Sequence, residues 1–577
     1  MVCGKQMVNL ALIVLFVCST SSLYLKAQIQ NQPIREGMLL EKELLRDERH
    51  AYTFMLNKGE GLEMTVLQKG VDIVIDIYDE ENIKVKSFDG PNGNSGPEDV
   101  FYQAPKSSKY RLVIYPFVSP QQNPTSAKEN QGSYVITRVH FISLKEFEDK
   151  SRTERRARAN VVEWILENKV PLNTLEAGKG YEDLRPLKEI LSNVKYVGLG
   201  ETTHGTHEFF KIKHRLIEFL VKELGFTVFT IEASYTGCEN INDYILYGRG
   251  NAKGAIASQG FWYWDTEEFL SIIEWLRSYN QTVSEEKKVR FLGFDVQKNN
   301  TSGTFDRLYG FLQKADPKLA VEKNSLFNSL RDLEKNRNSY PDPESYRREF
   351  FNLLAFMRMR SGHYINLTSQ ADYEQAMRWA TIIAQYVDFN FMSASDPRRI
   401  ERDWRDFYMA DNFYTFVQQF PPGTKMILWA HNSHISKNER ARVNRGVRPF
   451  GSYIKAAYGD AYYAMGFSFG KGGFRANKID EKGNGTGVQP LTVGPANENT
   501  LDALLGAAGE QFIINFRNDN LPESVQAFVA KPLKSRNIGD NYSPDNPDNY
   551  FPMTTIAKDF DALIFISNTS ASIPIQR

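Results

Sequence analysis

Five of the chain's eight histidines fall in or shortly after two short motifs. The first is Gly200-Glu201-Thr202-Thr203-His204-Gly205-Thr206-His207, with His214 a little further on. The second is His431-Asn432-Ser433-His434, straight after the apolar run Met426-Ile427-Leu428-Trp429-Ala430. Two acidic residues, Glu232 and Asp295, close other apolar runs. Histidine is the side chain most easily poised near neutral pH to move a proton or hold a metal. Gathered beside carboxylates, these residues can activate water, polarise a carbonyl or ligate a cation. The pattern is that of an enzyme.

The elements that must position these groups are legible around them. Short β-rich runs at Val194–Leu199, Phe226–Ile231, Val289–Phe294 and Met426–Ala430 alternate with amphipathic helices. In one helix, Phe209, Ile212, Leu216, Phe219 and Leu220 form a single stripe behind an expected N-cap at Thr206. Another is expected to start at Asp265, with Glu268 completing a capping box. Strand–helix alternation predicts a mostly parallel sheet with helices on both faces, and residues 303 to 420 read as a helical insertion. Further strands are predicted at Tyr462–Phe467, Phe512–Asn515 and Ala562–Ile566. Sites in parallel sheets form outside the carboxyl ends of the strands. Glu201 and His204 follow the first strand, Glu232 ends the second, Asp295 ends the third, and His431 and His434 follow the fourth.

Other candidates have plainer readings. His207 and His214 lie opposite the apolar stripe and read as solvated or supporting residues. Arg405 and Asp406 read as a structural ion pair. Of Lys211, Lys213 and Arg215, one is expected to face the site and the others to be helix surface. Trp262 and Trp264, in a Gly-Phe-Trp-Tyr-Trp stretch, read as an aromatic wall for an apolar substrate, with core packing as the alternative. No Gly-x-Ser-x-Gly nucleophile elbow stands out, which argues against a serine esterase.

At 577 residues the chain calls for two or more domains. Its 70 basic and 70 acidic residues balance, which argues against nucleic acid as the main partner. Lys5, the apolar run Leu10 to Cys18 and a small polar stretch to Ala27 have the order of a secretory signal over residues 1–27, too short for a membrane span. Lipidation at Cys18 is a second reading of the same segment. After cleavage only Cys238 remains, so no internal disulfide or cysteine metal cage is expected. Residues 28–147 alternate as short strands with Gly, Asn and Pro clusters between them, the pattern of an antiparallel β-sandwich. A charged linker over 148–158 leads to the α/β unit at 159–577.

Several motifs together resemble the erythromycin esterase family. They are Gly198-Leu199-Gly200-Glu201-Thr202-Thr203-His204-Gly205-Thr206, Glu208-Phe209-Phe210, Thr230-Ile231-Glu232-Ala233, Trp262-Tyr263-Trp264, Trp429-Ala430-His431-Asn432-Ser433-His434 and the Gly466-Phe467 to Gly473-Phe474 segment. The likeness covers roughly residues 160 to 577 in order. It implies a hydrolase needing no metal or cofactor that opens a macrolide lactone with activated water. His204 would be the general base, Glu201 and Glu232 its carboxylate partners, and His431 and His434 would polarise the carbonyl and stabilise the oxyanion. Trp262, Trp264, Asp295 and Arg215 would contact substrate, Arg215 standing for a substrate-facing arginine that could also fall at Lys213. The sandwich resembles small modules attached to secreted bacterial hydrolases.

Two other readings compete. The same glutamates, aspartate and histidines could bind zinc or manganese for a metal-dependent hydrolysis. Alternatively the chain is a non-catalytic surface binder whose sandwich docks a glycan or polymer. The expectation carried forward is an exported ester or lactone hydrolase with a small-molecule substrate.

Overall fold

The structure, a computed structural model, describes residues 31–88, 94–117, 131–297, 301–331, 342–391, 404–439, 448–518 and 520–577. The expected signal segment at 1–27, Cys18 with it, lies outside these residues, as does most of the turn clusters near 90 and 120–130. The chain divides into two compact units, the first ending at Glu148. That boundary falls inside the helix Leu144–Asn168, which contains the charged segment 148–158.

The first unit is built from two sheets. One has strands in the order Gln32–Pro33, His50–Leu56, Ser108–Pro116, Ile73–Tyr78 and Lys84–Phe88; the other runs Leu40–Leu44, Gly132–Ile142, Gly61–Lys69 and Ser95–Gln103. All pairings are antiparallel except the short first one. Alternation explains the layering: Leu62, Met64 and Val66 point inward from one sheet and meet Tyr52, Ile75 and Leu112 of the other in a single core.

The second unit carries the long sheet. Its main path runs Val170–Pro171, Gln511–Asn515, Ala562–Thr569, Tyr462–Ile479, Tyr196–Leu199, Met426–Trp429, Val228–Ser234, Arg290–Asp295. From Ala562–Thr569 to Arg290–Asp295 every neighbouring pair is parallel, while Gln511–Asn515 runs antiparallel to Ala562–Thr569. The strands Tyr196–Leu199 and Met426–Trp429 are buried at every position, as a sheet covered on both faces requires. One face packs on the helices His207–Leu224, Tyr235–Tyr247 and Glu267–Thr282, and the other on Trp404–Gln419 and Phe450–Tyr458. The predicted helical insertion is present and owns a core, in which Phe305, Phe327, Phe350 and Ile383 from four helices meet.

Two local expectations need correction. The helix expected to start at Asp265 begins at Glu267, capped by Thr266, whose hydroxyl accepts from the Phe269 N–H at 3.2 Å. Glu268 is not free to close a capping box because it binds His207 and the Ile573 N–H. Thr206 does occupy the N-cap position of its helix, but its hydroxyl bonds Thr203 and caps nothing.

Candidate active site

Register brings the site together. Leu199 pairs with Trp429, and Trp429 with Ile231, so the residues that follow them on three strands lie level. Glu201, Glu232 and His431 therefore leave the sheet at one edge. Asp295 reaches the same edge through an irregularity between Ile231 and Ser234. Gly293 makes room for it, since a Cβ there would stand 2.3 Å from the Ala233 carbonyl. Gly200 has a comparable purpose: a Cβ would lie 2.1 Å from Oδ1 of Asn432. That amide accepts from the Phe467 N–H at 3.0 Å and donates to the Phe467 carbonyl at 2.8 Å, locking the second histidine motif onto the sheet.

His204 and Glu201 form a buried couple, Nδ1 to Oε1, 2.7 Å apart. A carboxylate accepts, so Nδ1 carries the proton and Nε2 holds the lone pair. Nε2 has no hydrogen-bond partner among the described residues. The other oxygen of Glu201 accepts from Lys213 Nζ at 2.5 Å and from the Trp429 indole at 2.7 Å. Burial pushes the Glu201 carboxyl up, but Lys213 and His204 outweigh it and hold it down at about 2. Lys213 is fully buried, and desolvation brings its ammonium down to about 8 despite the carboxylate. The two partners thus both fall: the ion pair dominates for Glu201 and desolvation for Lys213, whose charge also lies over the Trp429 ring at 4.0 Å. For His204, burial works downward, and the Glu201 bond followed by the charges of Glu201, Glu232 and Asp540 moves it above the ordinary imidazole value.

His431 is arranged the opposite way. Its Nδ1 faces the Ser433 hydroxyl at 2.8 Å and accepts the Ser433 N–H at 3.3 Å as the cap of a short helix. The proton of the neutral ring therefore sits on Nε2, which is buried with no hydrogen-bond partner among the described residues. Burial, reinforced by nearby His204, lowers this imidazole to about 3, so it stays neutral. The ring centroids of His204 and His431 are 5.2 Å apart, so an imidazole with a free acceptor nitrogen neighbours one with a free donor nitrogen.

Behind them lies a second polar layer. Glu232 accepts the His431 N–H at 2.8 Å and Arg405 at 2.5 Å. Arg405 also grips both oxygens of Asp295, at 3.0 and 2.8 Å, and donates to Nε2 of His434 at 3.0 Å. His434 Nδ1 in turn meets Asp406 at 2.7 Å, and Asp406 accepts the Phe450 N–H. Burial raises the Glu232 carboxyl, yet His434, Arg405, His204 and the His431 N–H carry it far below the usual range. Among the described residues no group of three or more His, Cys, Asp or Glu is arranged to hold a metal ion. Glu201, Glu232 and Asp295 each already face a cation, Lys213 or Arg405, which a metal would have to displace.

The structure thus gathers Glu201, His204, Glu232, Asp295, His431 and His434. It does not gather Arg215, which is 1% exposed and binds Asp183 and the carbonyls of Thr174 and Gly180, away from the other site residues. Trp264 is not a substrate wall either; 1% exposed, it packs on Trp429 and Phe269 and donates to the Glu232 carbonyl. Trp262 is half-buried, with the Arg475 guanidinium 5.3 Å from its ring. His207 pairs with Glu268, and His214 is half-buried against Trp275 and pushed down to about 4 by burial. The sequence reading missed Arg405 and Asp406 as site residues and Lys213 as a buried one. A signal existed for Lys213: it stands four residues after Phe209 and three before Leu216, inside the apolar stripe.

The erythromycin esterase family model matches residues 221–569, which include Glu232, Asp295, Arg405, His431 and His434. Erythromycin esterase type II of Escherichia coli is 26% identical over 433 residues, spanning 71% of this chain and 98% of its own length. A Bacillus cereus protein of known structure is 24% identical with a TM-score of 0.63, over 73% of this chain and 99% of that one. A mutant of the erythromycin esterase EreC, crystallised in its open conformation, is 17% identical with a TM-score of 0.53, over 71% and 99%. The two structures are alike to this chain in fold.

Proposed function

The chain belongs to the erythromycin esterase family of hydrolases, and from that premise we propose that it cleaves a carboxylic ester or lactone by attack of water activated at His204. The observation that carries the reading is the opposite bonding of two neighbouring imidazoles: Nδ1 of His204 meets a carboxylate, which leaves a lone pair on Nε2, while Nδ1 of His431 accepts the Ser433 N–H, which leaves a proton on Nε2. Ester hydrolysis by water needs both, a base for the proton of the nucleophile and a donor for the oxygen that becomes an anion.

The step runs as follows. Water gives its proton to His204 Nε2 as its oxygen bonds the acyl carbon, and Glu201 stabilises the imidazolium through Nδ1–H. The carbonyl oxygen, now an oxyanion, accepts a hydrogen bond from the His431 Nε2–H, which keeps its proton. The imidazolium then returns the proton to the leaving alkoxide as the C–O bond breaks, leaving an acid and an alcohol. Glu232 acts on this indirectly, fixing the His431 backbone and holding Arg405. His434, with Nδ1 on Asp406 and Nε2 receiving Arg405, has no N–H left for a carbonyl, so in this reading it braces the carboxylate layer and the expected polarising role falls to His431.

The substrate is read as a small-molecule carboxylic ester or lactone, macrolide lactones among the class, met outside the cytoplasm because of the secretory pattern at residues 1–27. The test is hydrolysis of a panel of macrolides and simple esters by the mature protein. Turnover that His204→Ala abolishes and a chelator spares upholds the reading. Turnover lost to the chelator would transfer the chemistry to a metal ion, and turnover surviving in His204→Ala would remove the base.

A further inference from the structure

None of these roles uses Tyr263, yet its ring lies flat on the imidazole of His204. The centroids are 4.6 Å apart and the planes 20° from parallel. Tyr263 is buried and held in its own aromatic frame: Phe261 stacks on it at 4.9 Å, and Trp262 and Trp264 meet it edge-on at 5.5 and 5.6 Å. The loop is anchored to the second site strand by the Trp264 indole on the Glu232 carbonyl. A ring fixed on several sides is a rigid surface, whereas Glu201 restrains the imidazole only along one in-plane bond.

We propose that Tyr263 is a positioning residue for His204, its ring face holding the imidazole in the plane where Nδ1 meets Glu201 and Nε2 faces the reacting water. The face has a second effect. Aromatic faces are electron-rich and attract a cation, so the stack favours the imidazolium formed when the base takes its proton. The groups facing His204 are Glu201 with Lys213 behind it, Glu232 with Arg405, His431 from the fourth-strand turn, and Asp540 from the loop whose Gly539 carbonyl accepts the His204 N–H. Tyr263 is the uncharged member of this shell that stacks flat on the ring. The proposal rests on His204 being the base.

The experiment compares Tyr263→Phe and Tyr263→Leu. Phenylalanine keeps the face and is expected to hold kcat within about twofold, while leucine loses about tenfold in kcat with KM little changed. In the leucine variant the acid limb of kcat/KM moves to lower pH by about half a pH unit, because the imidazolium has lost its stacked ring. Carbon NMR of labelled histidines, with His204→Gln for assignment, follows the same titration without turnover. A phenylalanine variant as impaired as the leucine one would assign the effect to the hydroxyl and overturn the proposal. So would a leucine variant that titrates and turns over like the parent. If no ester is hydrolysed at all, the esterase reading falls, and the NMR titration alone upholds or overturns the stacking role.

Discussion

Replacing Lys213 by methionine removes a charge from beneath the catalytic couple while keeping an unbranched apolar stem between Trp429 and Phe467. The hold on Glu201 sets the size of the effect. A carboxyl brought down to about 2 has its charged form favoured by about 3 kcal/mol over an ordinary one, shared between Lys213 and His204. Removing one member of a buried pair also strands the other, at a typical cost of about 3–5 kcal/mol. Lys213→Met should therefore lose about 3 kcal/mol or more in urea unfolding at pH 7. The sign with pH follows from the direction of the Glu201 shift. Its folded value lies below its unfolded one, so the stabilisation is present above about pH 4.5 and disappears as pH falls toward 2. The stability gap between parent and variant should close over that interval. For activity, His204 becomes the sole cation available to Glu201 and binds its proton more tightly, so the acid limb of kcat/KM moves to higher pH. On the basic side, the parent should lose activity as Lys213 deprotonates from about 8, and Lys213→Arg, which does not titrate there, should hold to higher pH. Equal urea midpoints at pH 7, or an unmoved acid limb, would refute this account of how Glu201 is held.

Three further outcomes are expected. His431→Ala should cut kcat by about 10²–10³, the scale of a lost oxyanion donor, without moving the acid limb, since this imidazole titrates near 3; a shifted limb would make it a base instead. Arg405→Met leaves Glu232 and Asp295 buried without their shared cation and should cost about 3–5 kcal/mol in thermal or urea unfolding; an unchanged midpoint would mean that the carboxylates need no such partner. Gly200→Ala drives a methyl to within 2.1 Å of Asn432 Oδ1, so it should lower stability by about 1–3 kcal/mol and displace His431; parental stability and turnover would show the clamp to be dispensable.

Much of the site was legible because its parts obey a local rule. Glu201, Glu232, Asp295 and His431 each sit at the end of a β-rich apolar run, and a parallel sheet delivers such ends to one edge whatever the strand order. The residues that escaped lie on helices or in an aromatic stretch, where pattern and function compete. Arg405 and Asp406 open a helix whose apolar residues face the core, and adjacent opposite charges there read as a structural pair. Their true partners, Asp295, Glu232 and His434, come from strands and turns far along the chain. Arg215 was misread for the converse reason: a cation near a catalytic motif suggested substrate, while its acceptor Asp183 precedes the motif in a short helical turn. Trp264 was misread because an aromatic cluster looks alike in a core and in a cleft until neighbours such as Phe269 and Trp429 are known. The strand order could not be derived, because apolar runs specify burial and not which neighbour supplies it.

That order has a consequence for how the molecule comes into being. Met426–Trp429 pairs with Tyr196–Leu199 on one side and Val228–Ser234 on the other, although the chain supplies it only after the whole helical insertion. Until it arrives, the two earlier strands cannot be bridged and each presents a bare apolar edge, the kind of template on which chains aggregate. Closing that slot is a contact of large sequence separation, so it belongs among the slow events of folding. Seating that strand also brings His431 beside His204. Recovery of hydrolysis during refolding should therefore coincide with completion of the sheet and lag behind formation of the helices, and a chain cut before Met426 should be insoluble and inert.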